Sequence, residues 1–570
     1  MPGQVQGNYI NFYAILEARN GSFCEGKTMN RKKFKLLLAL SVLCLICVLS
    51  EAYLKGYITL NDVKETSKNI VNQEYTEEPA ATEKPEVTKE PAATEKPEVT
   101  KEPAATKRPE ATKEPANTKK PAATKKPLKP GPSQNVRILI MSDGFGSYYH
   151  NSISLTCDSG FNVTDGNKTT SYKAGKKVSF NTSKKGIKKK KFIISPANNS
   201  GIKILSFKRR DIHPVYSGSM EIKWTKKGFL MVNELPLEKY LYAVVPSEMP
   251  TESGMEALKA QAVCARSYAY NQIREKRYKA YNADLDDSVA CQVYNNIPSD
   301  KRSKRAVDET YGQVVTRKGE IIVTYYFATS WGCTADGQDV WNTPDEVPYL
   351  RGALQTRRKN AAGTDSINLS DEKAFRDFIN SDNNKTYDSG DDWYRWNVTL
   401  SAANLSNRID SALYNCYLSD KSLVLTQNKN GKYVQKPLKS IGKIKKLRVE
   451  KRQESGLVTE LVIVGTNNVV KVCTQYNIRK VLAPVYERIN RKGGESISSY
   501  SMLPSAAFYI DEKHSKKSIS FKITGGGFGH GAGLSQTGAA AMAESGEGYD
   551  TILKHYFRGT KIQNIKKVSK

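Results

Sequence analysis

At 570 residues, with a formal charge of +30 from 88 Lys and Arg against 58 Asp and Glu, the chain is longer than an ordinary single domain and needs an anionic partner or anionic surroundings. Its nine cysteines show neither C-x-x-C pairs nor a regular spacing, which argues against a disulfide scaffold and against a zinc-ribbon type of protein. Nucleic acid is the first partner that such a charge suggests, and the order of segments along the chain decides against it.

Residues 1–33 read as a cytoplasmic tail, with Met29 as an alternative start. The run Phe34 to Ser50, FKLLLALSVLCLICVLS, follows Arg31, Lys32 and Lys33. Positive charge before an apolar stretch marks an export signal or signal anchor. Its 17 residues sit at the lower edge of what spans a bilayer. Glu51, Ala52 and Tyr53 follow in place of a small-x-small cleavage site, and neither Cys44 nor Cys47 is preceded by the small residue of a lipoprotein site. A retained single-pass anchor over 34–54 is expected, with the rest of the chain outside the cell membrane. A buried soluble helix is the competing reading, and the lack of any polar face goes against it. Export turns the basic charge toward the anionic cell wall and away from nucleic acid. For a run such as Lys188 to Lys191 a solvated loop is the plainer reading.

From Thr76 to Lys129 the hexad T-[EK]-[EKR]-P-x-x repeats nine times. Proline at that frequency forbids helix and removes sheet donors, and the scarcity of large apolar residues forbids a core. Residues 72–132 are expected to form a disordered linker that, at about 3.1 Å per residue, reaches on the order of 150 Å.

Past Pro132 the composition turns globular, and 133–570 is expected to be one α+β domain. ILSFKRR, SMEIKWTKKGFLMVNEL and YGQVVTRKGEIIVTYYFAT read as strands, the last two as hairpins turning near Lys227-Gly228 and Lys318-Gly319. Between them SGMEALKAQAVCARSYAYNQIREKRY reads as a helix, with Ser253 and Glu256 as a capping-box pair. Its Leu258, Ala262, Ala265 and Ala269 share one face, small enough for close backbone approach. YDTILKHYF reads as a closing helix.

Two segments are suited to chemistry. LPLEKYLYAVVPSEMP sets Glu248 between Val245-Pro246 and Met249-Pro250, and a carboxylate with apolar neighbours resists ionisation, as a general acid near neutral pH must. A solvated or capping glutamate is the bland alternative. GGGFGHGAGLSQTGAAAMAESG surrounds His530 with glycines that let backbone approach a ligand, and Ser535 and Gln536 then open an Ala-rich helix. No G-x-x-x-x-G-K-[ST] is present, so phosphate cradling of that kind is not indicated.

Taken in order, VNELPLEKYLYAVVPSEMP, EALKAQAVCARSYAY, CQVYNN, YYFATSWGCTADGQDVW, PYLRG, WYRWNVTLSAANLS and the segment from GGGFGHGAGLSQTG to FRGTKI resemble the SpoIID/LytB family of stage II sporulation protein D and amidase-enhancer proteins. The resemblance runs from about Val136 to the C-terminus, with extra sequence between the matched blocks. It implies action on peptidoglycan glycan strands, and lytic transglycosylation in particular. It also assigns the proton transfer to Glu248, which stands in the family's P-S-E-M motif. Arg266, Ser267, Tyr268, Ser330, His530, Ser535 and Gln536 match family positions and are candidates for substrate binding, with support of the groove as the competing role.

The chain departs from the family at Trp331, where T-S-G-G reads T-S-W-G, and at Thr537, where a Tyr is usual. Ala290 replaces the His that pairs with Cys291 in zinc-binding members, and no His lies near Cys333. No metal and no cofactor are expected, and Cys291 and Cys333 are expected as a disulfide or as two free thiols. A non-catalytic activator of a wall amidase is the alternative function.

Overall fold

The computed structural model describes residues 134–568 apart from 297–299, 357–366, 382–384, 499 and 517. The expected tail, anchor and repeat linker lie outside the described residues. Among the described residues no helix is long and apolar enough to cross a membrane. The architecture is mixed α+β, and it is built on two separate large cores.

The first core centres on a seven-stranded sheet in the order Leu285–Asp286, Asn135–Leu139, Gly228–Pro236, Ser219–Thr225, Lys191–Pro196, Phe161–Asp165, Lys168–Tyr172. All pairs are antiparallel except the short outer one with Leu285–Asp286. Gly228–Pro236 is apolar on both faces because both faces are covered. Phe229 and Met231 enter the main core, while Leu230 and Val232 pack with Leu139 and Tyr278 on the other side. The hairpin expected at Lys227-Gly228 is present, with Thr225 opposite Gly228. The one at Lys318-Gly319 is also present, but its second arm is only Glu320–Ile321.

From Pro236 the chain enters α1 (Leu237–Glu248) and then α2 (Met255–Glu275). Leu258, Ala262, Ala265 and Ala269 on α2 are fully buried, and α1, α3 (Lys301–Glu309) and strand Gln313–Arg317 pack around it. Two local expectations change. The N-cap of α2 is Gly254 at φ 89°, without a side-chain cap, and Glu256 instead accepts from the backbone N–H of Tyr549. In ILSFKRR only the first residue belongs to a strand, Ile202–Ile204, because the chain then turns through Arg210 and Asp211 at positive φ. Leu237–Glu248 forms α1 although Pro246 lies inside it. Proline in a last turn sacrifices one bond near an end that is open anyway.

The second core runs from Trp331 to Ala532 and holds α4 (Gly337–Trp341), α5 (Glu372–Asn380), α6 (Ala402–Ser419) and α7 (Gln475–Val481) beside two five-stranded sheets. The chain then re-enters the first core at Leu534 and closes with α8 (Gln536–Glu544) and α9 (Tyr549–Tyr556). The residues from Trp331 to Ala532 thus form a lobe inserted between two halves of the first, and they include matched blocks such as WYRWNVTLSAANLS as well as the extra sequence between blocks. The halves are stitched where Tyr326–Phe327 pairs in parallel with Leu534–Ser535.

Candidate active site

Glu248 is the last residue of α1, where the unpaired helix carbonyls already disfavour an anion. Val245, Pro246 and Met249 beside it are buried, whereas Pro250 is exposed. The residue itself keeps partial exposure. Its Oε1 accepts from the backbone N–H of Val293 at 2.6 Å and from the Tyr326 hydroxyl at 2.9 Å. Among the described residues Oε2 has no such partner. Burial pushes the carboxyl up to about 7, and the Val293 N–H, the Tyr326 hydroxyl and the Arg210 guanidinium each hold it from rising further. Arg210 is exposed and is fixed beside the helix end by a 3.1 Å bond to the Ser247 carbonyl.

A buried relay holds Tyr326 in place. Tyr240 donates to Gln292 Oε1 at 3.2 Å, and Gln292 Nε2 donates to the Tyr326 hydroxyl at 3.1 Å. His530 reaches the same residue from behind. Its Nδ1 accepts from the Ala532 N–H at 3.2 Å, so the proton sits on Nε2, which donates to the Tyr326 carbonyl at 3.0 Å. Burial and the nearby Arg479 charge push His530 down to about 4, which keeps the ring neutral near pH 7.

Ser330 and Ser535 meet at Asp388, a fully buried residue supplied by the inserted lobe. Asp388 accepts from the Ser330 N–H at 2.9 Å, the Ser330 hydroxyl at 2.7 Å and the Ser535 hydroxyl, and Ser535 also caps α8. Burial raises the Asp388 carboxyl to about 6, against the pull of those donors. Gln536 reaches Gln261 on α2 at 3.4 Å. Thr537, at the usual Tyr position, bonds Thr329 at 3.0 Å and Asp391 at 3.4 Å.

The remaining candidates lie inside the first core. Arg266 grips both oxygens of Glu238 at 2.8 and 2.6 Å and donates to the Gln313 and Val307 carbonyls. Ser267 bridges the Val263 carbonyl and the Val315 N–H. Tyr268 is buried edge-on to Tyr325. Glu248 and His530 are therefore joined through Tyr326, and Ser330 and Ser535 through Asp388, while Arg266 and Ser267 tie α2 to its neighbours.

The glycine cluster serves close packing against protein. A Cβ on Gly531, at φ 89°, would come within 2.5 Å of the Trp331 ring, and one on Gly529 within 2.6 Å of Phe327. Trp331 fills this space, buried, with its Nε1 donating to the Ser455 carbonyl of the second lobe at 2.8 Å. Among the described residues no group of three or more His, Cys, Asp or Glu is placed to hold a metal. Cys291 and Cys333 are not bridged; Cys291 contacts the Tyr278 hydroxyl, and Cys333 donates to the Thr334 carbonyl. Tyr326 and Gln292 sit inside the sequence blocks YYFATSWGC and CQVYNN and were open to notice there. Asp388 and Arg210 carry no local signal.

Residues 225–317 match the family profile of the stage II sporulation protein, and residues 335–533 match a domain of unknown function (DUF8618). The second match coincides with the inserted lobe. An uncharacterized protein of Brachyspira hyodysenteriae is 30% identical over 356 residues, 62% of this chain and 74% of that one. Stage II sporulation protein D of Bacillus subtilis is 25% identical over 345 residues, 58% of this chain and 75% of that one. The amidase enhancer of Bacillus subtilis is 27% identical over 322 residues, 56% of this chain but only 40% of the enhancer's length.

Proposed function

The chain belongs to the SpoIID/LytB family, and we propose that it is a membrane-anchored cell-wall enzyme that cuts peptidoglycan glycan strands by lytic transglycosylation, with Glu248 as the acid. Relatives named for sporulation and for amidase enhancement support a role in wall remodelling. The observation that carries the enzymatic reading is the state of Glu248: a carboxyl that burial raises to about 7, on a residue that keeps partial exposure, with Oε1 held by two donors and Oε2 held by none among the described residues. The protonated Oε2 gives its proton to the glycosidic oxygen between muramic acid and glucosamine as the C1–O bond breaks. The carboxylate then takes the proton of the muramic 6-hydroxyl as that oxygen closes on C1, leaving an anhydro end. The proton count balances, and a pKa near the working pH serves both steps. No second carboxylate is needed, unlike two-carboxylate hydrolysis, and the charge acting on Glu248 is that of Arg210.

Glu248→Gln keeps the shape and the Oε1 acceptor but cannot shuttle the proton. Release of anhydro-muramic products is expected to fall by about 10²- to 10⁴-fold, while pull-down on the same glycan persists. Cutting at near wild-type rate would remove Glu248 from the role. The amidase-enhancer relative favours a second reading, a binding activator of a wall amidase. Wild-type protein that releases no anhydro ends but stimulates an amidase would establish it.

A further inference from the structure

Apart from the site around Glu248, one end of the seven-stranded sheet gathers charge that the wall-cutting reaction does not use. Three segments far apart in sequence meet there. The strand Lys168–Tyr172 begins at Lys168, paired with Asp165 across the turn from Phe161–Asp165. The loop that leads into Lys191–Pro196 carries Lys184, Lys185 and the run Lys188 to Lys191, and Phe192 pairs with Asp165. The hairpin between Ser219–Thr225 and Gly228–Pro236 carries Lys226 and Lys227, with Lys223 opposite Lys191 and the Trp224 N–H bonded to the Lys190 carbonyl. Every one of these lysines is exposed. The acids at this end are already engaged. Asp165 pairs with Lys190, and Glu221 is shared by Arg137 at 3.1 Å and Lys191 at 3.9 Å. Among the described residues no acidic side chain is within ion-pair reach of Lys168, Lys188, Lys189, Lys226 or Lys227.

We propose that this lysine rim is a docking surface for a linear phosphodiester polymer that carries no bases, a second wall-space polymer distinct from the glycan substrate. Unpaired like charges repel one another, and a flexible chain bearing a charge in each repeat relieves that repulsion along its length. The three segments contain no arginine, so the bidentate fork that reads base edges or fixes one phosphate geometry is missing. None of the large apolar side chains exposed among the described residues lies in these segments. Trp224 packs against the first core, and the Tyr149 ring lies beneath Lys227. The rim thus lacks the stacking platform of single-strand nucleic-acid binders and the apolar anchor that seats a protein in lipid headgroups. Point charges alone give affinity through counterion release, without sequence or geometry.

The test uses the full-length chain in detergent with a synthetic poly(glycerol phosphate) as probe, and single-stranded DNA of matched phosphate count and phosphatidylglycerol vesicles as comparators. Binding of poly(glycerol phosphate) is expected to weaken by about 10²-fold between about 50 and about 200 mM salt. The combined variant Lys188→Gln, Lys189→Gln, Lys226→Gln and Lys227→Gln is expected to lose affinity by about 10-fold or more. A control with the same net charge, Lys429→Gln, Lys432→Gln, Lys436→Gln and Lys439→Gln on the second lobe, is expected to change it by less than about 3-fold. Matching thermal transitions of the two variants exclude misfolding. Equal losses in both variants, no binding by the wild type, or tighter binding of DNA or vesicles than of poly(glycerol phosphate) would overturn the proposal.

Discussion

The proton on Glu248 answers to opposing local forces. Loss of water and the carbonyl end of α1 disfavour the anion, while the Val293 N–H, the Tyr326 hydroxyl and Arg210 favour it, and the balance falls near 7. If the protonated form starts the reaction, kcat/KM falls as pH rises above about 7. Tyr326→Phe removes a hydrogen bond that Oε1 accepts in both forms but that is stronger to the carboxylate than to the acid, so the pKa is expected to rise. Its alkaline limb is expected to move up by about 0.5–1 unit, the worth of one such hydrogen bond. A pH–rate profile of the two proteins on purified glycan decides this. A limb that moves down, or stays while the rate collapses at every pH, would mean that Tyr326 acts in some other way.

Two buried carboxylates hold the elements that present this site. Glu238 locks α1 to α2 through Arg266, so the helix that ends in Glu248 cannot slide on the helix beneath it. Removing one partner of such a buried pair costs about 3–5 kcal/mol. Asp388 holds the end of the strand pair Tyr326–Phe327 and Leu534–Ser535 from the inserted lobe, and its carboxyl is raised from the ordinary value to about 6. An acid whose folded pKa is raised contributes its stability fully below the unfolded value and loses it as pH rises through 6. Asp388→Asn keeps a neutral acceptor for Ser330 and Ser535 and removes the titration. Relative to the variant, the wild type is expected to lose roughly 2–3 kcal/mol of unfolding free energy between pH 4 and 7. Denaturant curves of both proteins at three pH values measure that difference. A constant difference would show that Asp388 does not titrate in this range.

For the whole molecule, Asp388 of the inserted lobe ties that lobe to the strand pair of the first. The Ser455 carbonyl holds the Trp331 indole, against which Gly527 and Gly531 pack, and Asp388 takes Ser330 and Ser535. The +30 charge makes its own demand at this scale. Our proposal that residues from about 133 onward face the wall rests on Arg31, Lys32 and Lys33 before the apolar run. Protease added to intact, wall-stripped cells is expected to shave off that part. Its full protection would sink the proposal.

What the sequence determined by itself is what short-range chemistry writes locally. The hairpin at Lys227-Gly228 follows from turn residues between apolar runs, and α2 and α9 follow from periodicity. Glu248 stood out because its apolar neighbours adjoin it in the chain, and the ordered blocks around it identified the family. The tertiary structure decided what depends on contacts across long separations. Asp388 meets Ser535 across 147 residues, and Tyr326 meets Glu248 across 78. Neither spacing has a local signature, because such pairs form only once segments distant in the chain have packed together. For the same reason Ser253 and Glu256 read as a capping pair although Glu256 in fact serves Tyr549 of α9. The glycines near His530 read as room for a ligand, while their space is filled by Trp331 and Phe327. Local text registers that a backbone must be approached closely, and only packing decides what approaches it.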